Sequence, residues 1–401
     1  MKALLNLSIL IALNCSAFCQ WVKIYDFDYA EPEINDIEIS IDETLYLAVK
    51  GFIHKSSTNG LSWESYPVGS NDIRSITFTG TDTGYALKAL GDGVGIAFKT
   101  INSGDEWILI TPSSEYWPEN NDFFVFQNES IITVGGAAIG YIQAIDSNFE
   151  NVDIIYPDIT EFCYSSIDCR NYDTCICIVG DQFGFNDGSG SILFTENHGG
   201  EWTQKGIINE GRDVSIQPNG SIYALGYFQL LKSINNGESW STLKMANESY
   251  NGEFRAMKFL NDSVGYLCEV FHSYDSVAIY RTENGGISWN ITQFSELPTS
   301  VSAIDCIDPW ICFFGTNAGE IFKTENGGTA IYNYNNDLLN NYFIYPNPAS
   351  NTISINGNLN KVVKIETYNY QNQKVDLDFF NGLTDINKLS DGYYYTLLFT
   401  T

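Results

Sequence analysis

Short apolar runs separated by clusters of Gly, Asn, Ser and Thr recur along the chain, a rhythm that predicts many short strands joined by tight turns and little helix. One stretch shows the unit: Ser75 to Phe78, a turn, Gly84 to Leu87, another turn, and a strand closing on Ala97, Phe98 and Lys99. A polar turn pattern follows at once, Ser/Thr-x-Asn-x-Gly-x-(Ser/Glu)-Trp, and its Trp opens the next strand. Clear copies are Thr100, Asn102, Gly104, Trp107; Thr195, Asn197, Gly199, Trp202; Ser233, Asn235, Gly237, Trp240; and Thr282, Asn284, Gly286, Trp289. The first copy, Ser56, Thr58, Gly60, Trp63, replaces the Asn, and the last, Thr324, Asn326, Gly328, lacks its Trp. Ala144, Asp146, Asn148 and Glu150 keep the spacing in eroded form, so the starts fall at 56, 100, 144, 195, 233, 282 and 324.

The motif has a local logic. Asn and Gly tolerate the positive φ of tight hairpin turns, and the leading hydroxyl can bond nearby backbone amides. Four strands in a repeat of about 45 residues is the size of a propeller blade. Gln20, Trp21, Val22, Lys23, Ile24 and Tyr25 form a Trp-led strand without a box, whereas the last box has no Trp. The two defects are complementary, so the N-terminal strand is expected to complete the final blade and remove a free sheet edge.

These residues resemble the Asp box (BNR repeat) of the sialidase, sortilin and xyloglucanase superfamily. The run Asp82, Thr83, Gly84, Tyr85, Ala86 through Trp107 looks most like the photosystem II stability/assembly factor type. The resemblance covers residues 20–333 and implies an all-β, seven-bladed Asp-box β-propeller. It also implies that the box is a structural turn on the rim, remote from the binding face; Asn stands here where Asp is usual.

The ends differ from the repeats. Met1 and Lys2 precede an apolar run, Ala3 to Leu13, and Ala17, Phe18 and Cys19 form a cleavage site, so residues 1–19 read as a signal peptide. No later stretch approaches the roughly 20 apolar residues of a membrane helix. An Asn-rich linker, 334–342, leads to Tyr345, Pro346, Asn347 and Pro348. With Val363 to Tyr368, Asp385, Gly392 and Tyr393, these resemble the type A C-terminal sorting domain (Por secretion tail) of type IX secretion substrates. The resemblance covers 343–401 and implies a small immunoglobulin-like β-sandwich, type IX secretion machinery as partner, and release or attachment at the outer-membrane surface. Such tails usually close with a Lys-rich strand, whereas Leu397, Leu398, Phe399, Thr400 and Thr401 end this sequence.

Charge and chemistry narrow the function. A net charge of -29 repels a phosphate backbone and argues against nucleic acid as partner. Paired segments, Asp168–Cys169 before Ile176–Cys177 and Asp305–Cys306 before Ile311–Cys312, predict disulfides Cys169 with Cys177 and Cys306 with Cys312, with Cys163 to Cys175 as a third. No CxxC pair or neighbouring His supports zinc. Asp181, Asn186 and Asp187 offer oxygen ligands suited to calcium, though a hairpin loop is the simpler reading. No other cofactor or metal is expected.

Sialidases of the superfamily need an arginine triad for the substrate carboxylate; this chain has only Arg74, Arg170, Arg212, Arg255 and Arg281, and no Arg-Ile-Pro element. Three scattered histidines, His54, His198 and His272, form no nucleophile triad. The expectation is a non-catalytic binding protein that engages a protein, peptide or glycan near the central channel. A glycoside hydrolase using paired carboxylates on the same face is the alternative, and an assembly factor-like role the third.

Overall fold

The computed structural model describes residues 21–328, except 28–32, 92–93, 111–119, 136–140, 150–151, 158–162, 181–188, 248–250, 273–275 and 296–299, and six strands between Tyr342 and Thr400. The signal peptide, the Asp181, Asn186 and Asp187 loop, linker residues 334–341, and Pro346, Asn347, Pro348, Gly392 and Tyr393 lie outside the described residues. Two compact units divide the chain, Trp21–Gly328 and the remainder.

The larger unit is a succession of antiparallel sheets. The first strands are β1 (Val22–Asp26), β2 (Ile34–Ile39), β3 (Leu45–Ser56), β4 (Glu64–Phe78), β5 (Gly84–Gly91), β6 (Val94–Thr100) and β7 (Ile108–Leu109), of which β2 to β7 join one sheet in chain order. Within it β3 changes partner about Gly51, whose φ is 78°: Leu45 to Val49 pairs with β2 and Phe52 to Lys55 with β4. In β4, Glu64 to Pro67 pairs with β3 but Ile73 to Phe78 pairs with β5. Next come sheets of four: β8 (Asn120–Val125), β9 (Ile131–Gly135), β10 (Tyr141–Ile145), β11 (Val152–Pro157); β12 (Cys163–Cys169), β13 (Cys175–Gly180), β14 (Ser189–Thr195), β15 (Thr203–Asn209); and β16 (Gly211–Ile216), β17 (Ile222–Gly226), β18 (Gln229–Ser233), β19 (Ser241–Met245). After β20 (Gly252–Phe259), β21 (Gly265–Phe271), β22 (Ser276–Thr282) and β23 (Asn290–Ser295), the strands β24 (Val301–Cys306), β25 (Cys312–Thr316) and β26 (Glu320–Thr324) pair in order, and β1 adds to β26.

The first strands of these sheets form a closed ring. β2 neighbours the second half of β4, which neighbours β8, then β12, β16, β20 and β24, and β24 returns to β2. The apolar clusters sit between consecutive sheets: Tyr223, Leu225 and Leu230, for example, pack on Phe254, Phe259 and Leu267 of the following sheet. Burial is thus repeated at each sheet junction, and each sheet depends on both neighbours.

The ring closes through β1, as the complementary defects predict, with Val22 opposite Lys323 and Asp26 opposite Glu320. Trp21 is buried, its ring 5.0 Å from Phe314 and 6.0 Å from Tyr266, and its indole N–H donates to Thr292 Oγ1 at 3.2 Å. A Cβ on Gly328 would stand 2.8 Å from Trp21 Nε1, much as Cβ atoms on Gly60, Gly104, Gly237 and Gly286 would stand 3.5–3.7 Å from Trp63, Trp107, Trp240 and Trp289.

The repeated turn is a hydrogen-bonded unit. Thr100 Oγ1 accepts the Gly104 N–H at 2.9 Å and donates to Asn102 Oδ1, which accepts the Glu106 N–H at 3.0 Å. Thr195, Ser233, Thr282 and Thr324 accept the N–H of Gly199, Gly237, Gly286 and Gly328 in the same way, and Ser56 accepts that of Gly60. The eroded copy is displaced by one residue. Ile145, not Ala144, ends β10 opposite the first residue of β9, and the positive φ of 59° falls on Phe149. Without a hydroxyl to mark the strand end, the spacing alone misplaces the turn.

Cys306 and Cys312 are bonded. The expected Cys169–Cys177 bridge does not form, nor does Cys163–Cys175: Cys169 bonds Cys175, leaving Cys177 a buried free thiol. The reason is register. Cys175 stands directly opposite Cys169 across β12 and β13, whereas Cys177 stands opposite Ile167. Both bridges span a sequence separation of 6 at the same end of the first two strands of a sheet.

The smaller unit contains β27 (Tyr342–Tyr345), β28 (Thr352–Gly357), β29 (Val362–Asn369), β30 (Lys374–Val375), β31 (Leu383–Asp385) and β32 (Tyr394–Thr400). They form two three-stranded sheets, β27-β28-β31 and β30-β29-β32, with Tyr345 ending the first strand.

Candidate functional site: the central channel and its mouth

Every inner strand of the ring slips by one residue in its pairing near its start. The bulged residues are Asn35, Arg74, Asn121, Ser165, Arg212, Arg255 and Ser302. A bulged residue has no partner in the ladder, and the local kink re-aims its side chain. All of them line one cavity of about 360 Å³ on the ring axis. The bulges therefore build a collar of three arginines, two asparagines and two serines at one mouth of the channel.

The next residues inward are mostly acidic or hydroxylic: Asp36, Ser75, Asp122, Ser166 and Asp213 form a second layer, and Glu38, Asp168, Ser215 and Lys258 a third. Most of these carboxylates reach the backbone of the following inner strand. Asp36 Oδ2 accepts the Ile76 N–H at 2.9 Å, Glu38 Oε1 that of Phe78 at 2.8 Å, and Asp122 Oδ2 that of Ile167 at 3.0 Å. Asp168 Oδ2 accepts from Ile216 at 2.8 Å, and Asp305 Oδ2 from Ile39 at 3.0 Å. Ser166 Oγ donates to both Asp122 and Asp213. These groups staple adjacent sheets where backbone N–H groups face the channel.

Charge in the channel is crowded. Burial raises the pKa of Asp36 well above the usual carboxylate range and lifts Asp122 as well. Burial pushes Asp168 up to about 7; burial and the nearby Asp122 do the same for Asp213. Glu38 also reaches about 7, through burial and repulsion from Asp305, with Lys258 pulling the other way. Burial works against the Lys258 ammonium, but Asp305, 2.6 Å away, and Glu38 outweigh it and raise its pKa.

The mouth is different. Arg212 Nη2 lies 3.4 Å from Glu253 Oε2, Arg255 also pairs with Glu253, and His272 Nε2 lies 3.1 Å from its Oε1. Arg212 stacks over the Tyr227 ring at 4.6 Å. Burial lowers the Arg212 pKa, and the positive charge of Arg255 lowers it further. Arg74 pairs at 3.7 Å with the exposed Asp72. One buried carboxylate thus serves two guanidinium groups and an imidazole, and the mouth keeps a cationic excess in a chain whose net charge is -29.

Topology fixes which end this is. In each sheet the third strand runs parallel to the first, and the repeated turns follow the third strand, so they lie at the end opposite the bulges. The turn residues therefore stand away from the mouth. Of the other sequence candidates, His54 is buried, its Nδ1 2.8 Å from Ser65 Oγ, and burial lowers its pKa to about 4. His198 stacks on Tyr172 at 3.7 Å, and Arg281 is buried over Trp310 at 4.8 Å. The described residues contain no group of His, Cys, Asp and Glu able to hold a metal, and no helix long and apolar enough to cross a membrane.

The mouth was not visible from the arginine count. Arg74, Arg212 and Arg255 are scattered in sequence, but each directly precedes a small or acidic residue and an apolar one at an inner-strand start: Ser75–Ile76, Asp213–Val214 and Ala256–Met257. Aligning strand starts rather than turns would have found them.

Residues 343–399 match the family described as secretion system C-terminal sorting domain. The tail is a type IX sorting domain. It directs export to the cell surface or the medium. Among solved structures, the larger unit is similar to YCF48 bound to D1 peptide, at 14% identity and TM-score 0.57, over 79% of this chain and 99% of that one. It is also similar to the GH74 enzyme of Niastella koreensis, at 10% identity and TM-score 0.59, covering 77% of this chain but only 54% of the enzyme. The WD40 β-propeller domain of Doa1 matches at 12% identity and TM-score 0.52, over 76% of this chain and 97% of that one. These likenesses show the fold alone, a β-propeller carrying a sorting tail. The chain matches no curated protein in sequence.

Proposed function

We propose that the chain is a secreted or surface-held binding protein without catalytic activity, a seven-bladed Asp-box propeller whose ligand seats on the channel mouth. The blade count reads the two partners of β4 as two successive blades, consistent with the ring of inner strands. The sorting tail is proposed to form an immunoglobulin-like sandwich from its two sheets and to engage the secretion machinery. One observation carries the binding role: bulges place an arginine-rich collar at one end of the channel while the repeated turns occupy the other. Nothing in this reading asks for a cofactor.

The hydrolase reading draws on the channel carboxylates held near neutrality, since a raised pKa suits a general acid. Against it, both oxygens of Asp168 are engaged by backbone N–H groups of Cys169 and Ile216. A carboxylate so held is a staple first. The assembly factor-like role rests on the likeness to YCF48, and the channel adds nothing to it.

The test uses the full mature chain, screened against peptides and polysaccharides with product analysis in the same reactions. Binding without new reducing ends or cleaved peptide, reduced by Arg212→Ala, is the expected result. Sugar release abolished by Asp213→Asn alone would replace this reading with the hydrolase.

A further inference from the structure

The geometry points to the occupant of the mouth: a carboxylated sugar, the uronic-acid type of residue within an acidic polysaccharide. This rests on the reading of the mouth as the ligand site and names the class of ligand. Three of the chain's five arginines occupy equivalent bulge positions in an otherwise strongly acidic protein. Around the ring Arg212 and Arg255 are neighbours, and Arg74 stands across the mouth from them. A planar guanidinium grips a carboxylate with two parallel N–H donors, which a lysine cannot do. Arg255 has donor capacity to spare: its Nε–H is buried and has no acceptor among the described residues.

Two further features select a sugar. Between Arg74 and Arg212 the collar presents Asn121 and Ser165, an amide and a hydroxyl suited to neutral hydroxyl groups. Beside Arg212, Tyr227 carries Phe228 edge-on at 4.4 Å, and Phe228 is 36% exposed. The C–H face of a pyranose ring is apolar and covers such a ring by dispersion and loss of hydration. An acidic peptide would be served by the cations alone. The acidic second layer repels an anion that moves deeper, so the carboxylate stops at the collar.

Oligogalacturonate is titrated calorimetrically into the full mature chain beside three other probes: the same oligosaccharide with its carboxyls reduced to alcohols, an oligoglutamate of equal charge, and inorganic sulfate. Oligogalacturonate should bind, weaken with added salt, and bind about tenfold or more weakly once reduced. Arg212→Gln and Arg255→Gln should each cost a similar factor with melting temperature unchanged, and Phe228→Ala should weaken the sugar but not the sulfate. Oligoglutamate binding as tightly as the sugar, Phe228→Ala without effect, or no oligogalacturonate binding would overturn the assignment. If oligogalacturonate fails while another ligand depends on Arg212, the sugar is wrong and the mouth stands; a tight ligand indifferent to Arg74, Arg212 and Arg255 removes the mouth as well.

Discussion

Trp21→Ala tests how the ring is closed. The side chain is 4% exposed, packs on Phe314 and Tyr266, and donates to Thr292 Oγ1 at 3.2 Å. Truncating a buried aromatic of this size costs about 3–5 kcal/mol, because transfer energy is lost and the surroundings only partly collapse. At about 2 °C per kcal/mol for a large domain, the melting temperature should fall by about 6–10 °C. Trp289→Ala should fall by a similar amount, since Trp21 fills the place by Gly328 that Trp289 fills by Gly286. Trp21→Phe keeps most of the packing but removes the N–H, and should cost about 1 kcal/mol. In a double-mutant cycle with Thr292→Val the coupling should match that figure. Thermal and urea unfolding of the full mature chain, followed by circular dichroism, measure both. A fall under about 2 °C for Trp21→Ala, or no coupling between Trp21 and Thr292, would refute the closure argument.

Two further predictions follow from the structure. Thiol labelling should modify Cys177 and Cys268 only after unfolding, and Cys175→Ser should release Cys169 for labelling while Cys177→Ser leaves it bonded; each bridge closes a short loop and should contribute about 2 kcal/mol. The channel carboxylates make stability fall with rising pH. Asp36, Glu38, Asp122, Asp168 and Asp213 all have pKa values raised by burial, so between the unfolded value near 4 and the folded value of about 7 the native state holds more protons than the unfolded one. Their contribution is full below pH 4 and lost as pH rises through about 7, and the chain should melt higher at pH 5 than at pH 8, with Asp213→Asn reducing the difference; an unchanged or rising melting temperature over that range would contradict the staple geometry.

The repeated turns were legible because each position has a fixed backbone task. A hydroxyl takes the Gly N–H, an Asn carbonyl takes the next amide, and the Gly accepts a positive φ, so the residues recur. Where one task is missing, as at Ile145, the reading slipped by one. The disulfide was misread for a related reason: composition places Cys169 near both Cys175 and Cys177, and only strand register decides between them. The collar was illegible because its residues carry no backbone task. Arg74, Asn121 and Ser302 share a position in the fold but no chemistry, and only the bulges bring them together.

That difference divides the labour between the two ends of the propeller. At the turn end, changing Thr100 strips an acceptor from a buried amide, so the fold constrains the sequence. At the mouth, the ladder bypasses the bulged residue, and Asn, Arg and Ser are all accommodated on the same backbone. Ligand specificity can therefore change there with little consequence for stability. The carboxylate staples just inside the mouth supply the rigidity this needs, holding adjacent inner strands in register below a collar that is free to vary. Substitutions in the collar should then alter binding while leaving melting temperature in place, and substitutions in the turns should do the reverse.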